Sequence, residues 1–288
     1  MDQIIDSHHH LWNPARGDYG WMEGLPQSAK NVLYKPYRAP DLNDIWRTHN
    51  VAKTVLVQAA PTVNETEYML GIADANAQIA GVIGWVDFED PNSRTILARL
   101  AKHPKFLGVR PMIQDLPDDD WMLRDDIQWA FEAIIEHDLI FEALGFPRHI
   151  ANFRTLFARY PDMRVVLDHC MKPQIRDYPE VDTAFNVWAD GMSALAQETK
   201  AVCKFSALVT EAKPDWIDAS LKPFTDHVIA AFGADRLMWG SDWPVALLAS
   251  PYDRWLQTAK ALTAHMSPAE QKAIFFDTAK TFYRMDLP

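Results

Sequence analysis

RVVLDHC, residues 164–170, runs Val165, Val166 and Leu167 together and then stops on Asp168 and His169. A short apolar run that hardly alternates is the signature of a strand buried on both faces. The pattern recurs along the chain: QIID (3–6), TVLVQAA (54–60), GVIGWVDF (81–88), FLGVRPMI (106–113), LIFEALG (139–145), VCKFSAL (202–208) and RLMWGSDW (236–243). Helical stretches lie between these runs. NETEYMLGIADANAQI carries a stripe of Met69, Ile72, Ala73 and Ala77, and RDDIQWAFEAIIEHD one of Ile127, Phe131, Ile134 and Ile135. RHIANFRTLFARYPD carries Ile150, Phe153, Leu156 and Phe157 and stops at Pro161. Strand and helix alternating about eight times in 288 residues predicts a single α/β domain, a (β/α)8 TIM barrel over 1–288.

The ends of the runs say more than their middles. In order they carry Asp6 with His8 and His10, then Gln58, Asp87, Arg110, Glu142, His169, Ser206 and Asp242. In such barrels the active site lies at the C-terminal mouth of the strands, so these residues are expected to meet there. A doubly wound open sheet would need a switch-point crevice, and no Gly-rich phosphate loop follows the first run. The connection 13–40 is rich in Gly, Pro and aromatics (Tyr19, Trp21, Tyr34, Tyr37) and is expected to be a long non-helical loop. It reads either as a flap over the mouth or as an ordered surface loop packed by its own rings.

Composition narrows the partners. Hydrophobic residues make up 48% of the chain and the formal net charge is −11. That disfavours nucleic acid and anionic membrane surfaces, and fits a small-molecule substrate. No run approaches the roughly 20 apolar residues of a membrane span, and no signal peptide is visible, so a cytoplasmic enzyme is expected. Cys170 and Cys203 read as small packing residues rather than a disulfide framework. Acidic barrels of this size are expected as monomers or homodimers.

In an extended segment residues i and i+2 face the same way. His8 and His10 should therefore point together into the mouth, with His9 turned away. Two imidazoles at this spacing hold one divalent ion when carboxylate or further imidazole comes from other strands. Closure of the barrel would bring Asp242 beside them, with His169 near. Competing structural readings remain for the other candidates. Asp242 is able to cap the turn before Pro244, and Arg110 to form an ion pair with Asp87 or Glu142. His169 reads also as a core histidine, Lys172 as a loop lysine, and Trp12 and Trp243 as core aromatics rather than walls for a sugar ring.

The tracts DSHHHLW, VQAAPTVNETEYML, GVRPMIQDLPDDDWML, VVLDHCMKP, CKFSALVTEA and RLMWGSDWPV together resemble the amidohydrolase superfamily. Within it they resemble the amidohydrolase-2 branch of sugar-lactone and pyrone-dicarboxylate lactonases, and KFSALVTEA and GSDWPVALLASPYD look most like L-fucono-lactonase-like members. The resemblance runs from Asp6 to about Tyr252 and on into the C-terminal helices. It implies a (β/α)8 barrel, with His8 and His10 as the first-strand pair, His169 as the later histidine and Asp242 as the last-strand aspartate. It also implies that Arg110 holds the substrate carbonyl or carboxylate. The wider superfamily's two-metal pattern has a bridging lysine or acid and one more histidine on the following strand. Here the seventh run offers Lys204 and Ser206 and no histidine, so one divalent ion is expected, zinc first, or none that activity requires.

These residues suit hydrolysis of a small lactone, most simply a sugar lactone such as L-fucono- or L-rhamnono-lactone. Water must lose a proton, the carbonyl must be polarised and the ring oxygen must be reprotonated. Asp242 is the expected base, assisted by His8, His10 and His169, and possible ligands are His8, His10, Asp242 and His169. Substrate contacts are expected from Arg110, Trp12, Gln58, Glu142, Lys172 and Trp243. The rival readings are a metal-dependent decarboxylase or a hydrolase of aromatic-derived substrates, and a sugar-acid-binding barrel without catalysis.

Overall fold

A computed structural model describes residues 3–287. Eight strands form one parallel sheet in sequence order: β1 Ile4–His9, β2 Val51–Val57, β3 Ile79–Gly84, β4 Phe106–Val109, β5 Ile140–Ala143, β6 Arg164–Leu167, β7 Val202–Phe205 and β8 Leu237–Trp239. The ring closes where His10 N–H donates to Trp243 C=O at 2.7 Å and Asp242 N–H donates to His8 C=O at 2.8 Å. Helices cover the outside, as the (β/α)8 pattern requires. The expected helices appear as Val63–Ala75, Gln128–Glu136 and Ile150–Arg159, the last ending ahead of Pro161.

Segment 13–40 departs from the non-helical expectation. It holds short turns of helix at Pro14–Arg16 and Gly20–Gly24 and a helix at Gln27–Leu33. Asn13 caps the first through its side chain, and Pro26 precedes the third. Pieces this short show no apolar period, so local caps rather than a stripe define them.

The barrel interior is graded from one end to the other. Ile5, Val55, Ile83, Ile140, Val166, Val202 and Met238 fill its N-terminal end, where Phe276, Ala279 and Tyr283 of the C-terminal helical segment close it off. Toward the mouth the inward positions become His8, Arg110, Glu142, Asp168 and Lys204, all buried. β1 changes parity on the way. Asp6 pairs with Thr54 and His9 with Leu56, three steps along β1 against two along β2. This bulge lets Ile5 and His8, an odd number of residues apart, both face inward. Asp6 turns outward to the Tyr252 hydroxyl and the Ser241 N–H, and burial pushes its carboxyl up to about 6. At Gly240 an added Cβ would lie 2.8 Å from His8 Cβ, so only glycine lets the end of β8 pass this close to β1.

Candidate active site

The ends of β6, β7 and β8 turn through the left-handed region without glycine. His169, Cys170, Met171 and Lys172 have φ of 54°, 50°, 58° and 47°, Ala207 has 57° and Asp242 has 54°. Each such residue costs about 1–2 kcal/mol, so the surroundings must hold the turns in place. Cys170 and Met171 are fully buried, and the Trp188 indole N–H donates to Cys170 C=O at 2.7 Å. The turn after β6 thereby presents both His169 and Lys172 to the mouth. Both cysteines are free and buried, as packing residues would be.

The cavity at the mouth has a volume of about 310 Å³. His10, Arg110, His169, Lys172 and Asp242 line it, with Trp12, Trp21, Leu25, Met112, Leu144 and Val245 as apolar wall and Gln114 and Asp115 as further polar groups. Trp21 is fixed by its indole N–H to Ala59 C=O at 2.7 Å, and Trp12 by its own to Leu33 and Lys35 C=O at 3.1 Å each. A wider cavity of about 720 Å³ adjoins it across Lys172, beside Phe146, Arg148 and Arg176. Among the described residues no histidine lines that second cavity, whereas His10, His169 and Asp242 line the first.

His8 and His10 stand side by side, Nε2 to Nε2 at 3.2 Å, while His9 turns away to Thr54 Oγ1 at 2.9 Å and packs edge-on against Trp46. Asp242 Oδ1 lies 3.3 Å from His10 Nε2, 3.7 Å from His8 Nε2 and 3.9 Å from His169 Nε2. His10 Nδ1 meets the Val57 carbonyl at 2.8 Å and must donate to it. Its Nε2 therefore presents a lone pair to a carboxylate oxygen, acceptor against acceptor. A cation between them, or a second proton on His10, satisfies this pairing. Ligands about 2.0–2.1 Å from a tetrahedral ion sit about 3.3 Å apart, close to the separations here. Asp242 with His8, His10 and His169 around it thus offers the donors of a divalent-ion site. His169 Nδ1 is bonded to Ser206 Oγ at 2.8 Å, which leaves Nε2 for the site. His8 lies between two donors, Lys204 Nζ 3.0 Å from Nδ1 and Arg110 Nη1 3.4 Å from Nε2; with the nearer lysine on the Nδ1 lone pair the ring proton sits on Nε2, and His8 would join as a ligand by giving that proton up. His8, His169 and Asp242 bring ligand atoms within 4.8 Å of one another.

Burial drives His8 and His169 well below the usual histidine range, with neighbouring positive charge adding to it. Burial also lowers His10, against the pull of Asp242, and takes His9 down to about 3. Neutral imidazoles at the mouth suit ligation and hydrogen bonding.

Several expected substrate contacts lie elsewhere. Glu142 is sealed below the cavity, bonded to Lys204 Nζ at 2.6 Å and the Tyr283 hydroxyl at 2.8 Å. Gln58 is fully buried and clasps Arg110: its side-chain Nε2 donates to Arg110 C=O at 2.5 Å, and the guanidinium donates to Gln58 C=O. Trp243 packs edge-on against Tyr37 at 4.8 Å between ring centroids and does not line the cavity. Arg110 pairs with Asp168 at 3.1 Å rather than with Asp87 or Glu142. Lys172 Nζ donates to Gln114 Oε1 at 2.6 Å on the cavity wall. Sequence reasoning missed Gln114 and Asp115 on the cavity wall, and, although it named Lys204 and Ser206, it did not read Asp168, Lys204 and Ser206 as supports. Their signal was parity: in β6 and β7 they stand two or four places from the inward Val166 and Val202.

The family model described as amidohydrolase matches residues 5–285. L-fucono-1,5-lactonase of Burkholderia ambifaria is 37% identical over 288 residues, covering 99% of this chain and 96% of that protein. A crystal structure of an amidohydrolase from Burkholderia multivorans with bound HEPES superposes with a TM-score of 0.91 at 30% identity, covering 99% of this chain and 100% of that one. A crystal structure from the same organism with bound zinc gives 0.89 at 31% identity, with the same coverage.

Proposed function

The chain belongs to the amidohydrolase family, and from that premise we propose that it hydrolyses a sugar lactone, with L-fucono-1,5-lactone the compound to try first. The mechanism rests on one observation: Asp242, His10, His169 and Arg110 converge on a single cavity of about 310 Å³. The substrate class rests on the 37% identity to a lactonase over nearly the whole chain. That identity favours ester hydrolysis over decarboxylation for this set of residues.

Asp242 acts as general base. It takes a proton from water as the water oxygen bonds to the lactone carbonyl carbon. Arg110 stabilises the carbonyl oxygen as it gains charge, joined by the His169 Nε2–H when that nitrogen holds no ion; a well-placed donor of this kind is worth about 10²–10³ in rate. The bond from the carbonyl carbon to the ring oxygen then breaks, and Asp242 returns its proton to that oxygen. The products are a hydroxyl on the opened chain and a carboxylic acid, which ionises and releases one proton. Trp12 and Trp21 give the ring an apolar wall, and Lys172, Gln114 and Asp115 face its hydroxyls. A divalent ion on His8, His169 and Asp242, with His10 as further ligand, would lower the pKa of water there. Zinc is the ion we assign, from the imidazole–carboxylate donor set and the zinc-bound relative.

The test is acid release, followed with a pH indicator, from a panel of aldono-1,4- and aldono-1,5-lactones. Protein of known metal content is used, with and without chelator. Turnover of sugar lactones is expected. No acid from any lactone would sink the reading.

A further inference from the structure

Directly beneath the cavity, His8, Glu142 and Asp168 bring one ligand atom each to within 4.8 Å of one another. One imidazole and two carboxylates are a donor set for a divalent ion. The space among them is filled by a side chain. Lys204 Nζ lies 2.6 Å from Glu142 Oε2, 3.0 Å from His8 Nδ1 and 3.4 Å from Asp168 Oδ1.

A fully enclosed lysine is uncommon, and a buried charge persists only where partners satisfy it. Lys204 and its three partners are all 0% exposed. The enclosed charges balance: Glu142 and Asp168 against Lys204 and Arg110, with Arg110 held on Asp168 Oδ2 at 3.1 Å. Without Lys204 the enclosure would carry a net negative charge around three converging ligand atoms. Burial already pushes the Glu142 carboxyl up to about 7, with Lys204 holding it down in part.

We propose that Lys204 is a built-in cation standing where a second divalent ion would otherwise bind. It confines exchangeable metal to Asp242 and the histidines around it, above Lys204. It is a positioning residue: it touches no cavity, and it reaches the chemistry through His8, whose Nδ1 it holds. The inference is independent of which lactone is opened.

The experiment is zinc uptake per chain by equilibrium dialysis and elemental analysis, on wild type, Lys204→Ala and the double variant Lys204→Ala/Glu142→Gln, with folding followed by circular dichroism. Lys204→Ala is expected to bind one more zinc per chain than wild type, and the added Glu142→Gln to abolish that extra ion. If Lys204→Ala is unfolded without metal, zinc is expected to restore its fold. Three results would overturn the proposal: a folded Lys204→Ala with wild-type uptake, an extra ion that survives Glu142→Gln, or an unfolded variant that zinc does not rescue.

Discussion

The barrel interior holds two polar tiers of nearly equal burial, and they are wired differently. In the lower tier Lys204 meets Glu142 and Asp168, and Arg110 meets Asp168, so every full charge has an opposite one within 3.4 Å. In the upper tier His10, His169 and Asp242 are each only 3% exposed, yet both imidazoles turn Nε2 toward the Asp242 carboxylate, at 3.3 Å and 3.9 Å. Depth therefore does not separate structural from chemical groups here; the pairing does. The lower tier balances its charges within the protein and fixes positions, although Asp168 Oδ1 and Arg110 Nε take no hydrogen bond. The upper tier is complete only when a proton, a cation or a substrate joins it.

Neutralising one residue in each tier separates the two most strongly. Asp242→Asn is expected to lower kcat by about 10³-fold, within the range for a general base, while the melting temperature changes little. A variant that melts early would move Asp242 into the structural tier. Glu142→Ala should do the reverse. It strands Lys204 and is expected to cost about 3–5 kcal/mol in urea unfolding, the cost of breaking a buried pair from one side. A loss below about 1 kcal/mol would mean that the lower tier does not depend on its pairing.

The wall between cavity and solvent gives a smaller effect. Trp21→Ala removes part of the apolar lining and is expected to raise KM about tenfold, equivalent to about 1.4 kcal/mol, with kcat nearly unchanged. A large fall in kcat instead would give Trp21 a part in the chemical step.

Glu65 belongs to neither tier and supplies a control. Its carboxylate accepts the N–H groups of Ala59 at 3.1 Å and Ala60 at 2.8 Å, and burial pushes its pKa from 4.5 to about 8. A raised carboxyl keeps its proton in the folded state after the unfolded chain has lost it. Its contribution to stability is thus full below pH 4.5 and is lost as pH rises to about 8. Glu65→Gln is expected to flatten that part of the melting-temperature profile between pH 5 and 8, by a few degrees. An unchanged slope would assign the pH dependence to other groups.

The barrel was legible because buried parallel strands need unbroken apolar runs, and each run ended on a polar residue such as Arg110 or His169. The pairing of His8 with His10 was legible from extended-chain parity alone. The wiring was not. Its place at the end of a run pointed Glu142 toward the mouth, but did not reveal that Lys204 and Tyr283 would take both of its oxygens. Those partners come from a strand 62 residues away and a terminal segment 141 residues away. The left-handed run His169–Lys172 carries no glycine to announce it, since tertiary packing of Cys170 and Met171 holds it. The bulge in β1 is a matter of register with β2, which one strand's sequence does not contain.

The most direct test of the account is the initial rate of acid release from L-fucono-1,5-lactone by wild type and Asp242→Asn, measured side by side on folded protein. Wild type is expected to turn over well above the buffer rate, and the variant to fall by about 10³-fold. A wild type that releases no acid, or an Asp242→Asn that keeps most of the rate, would contradict it.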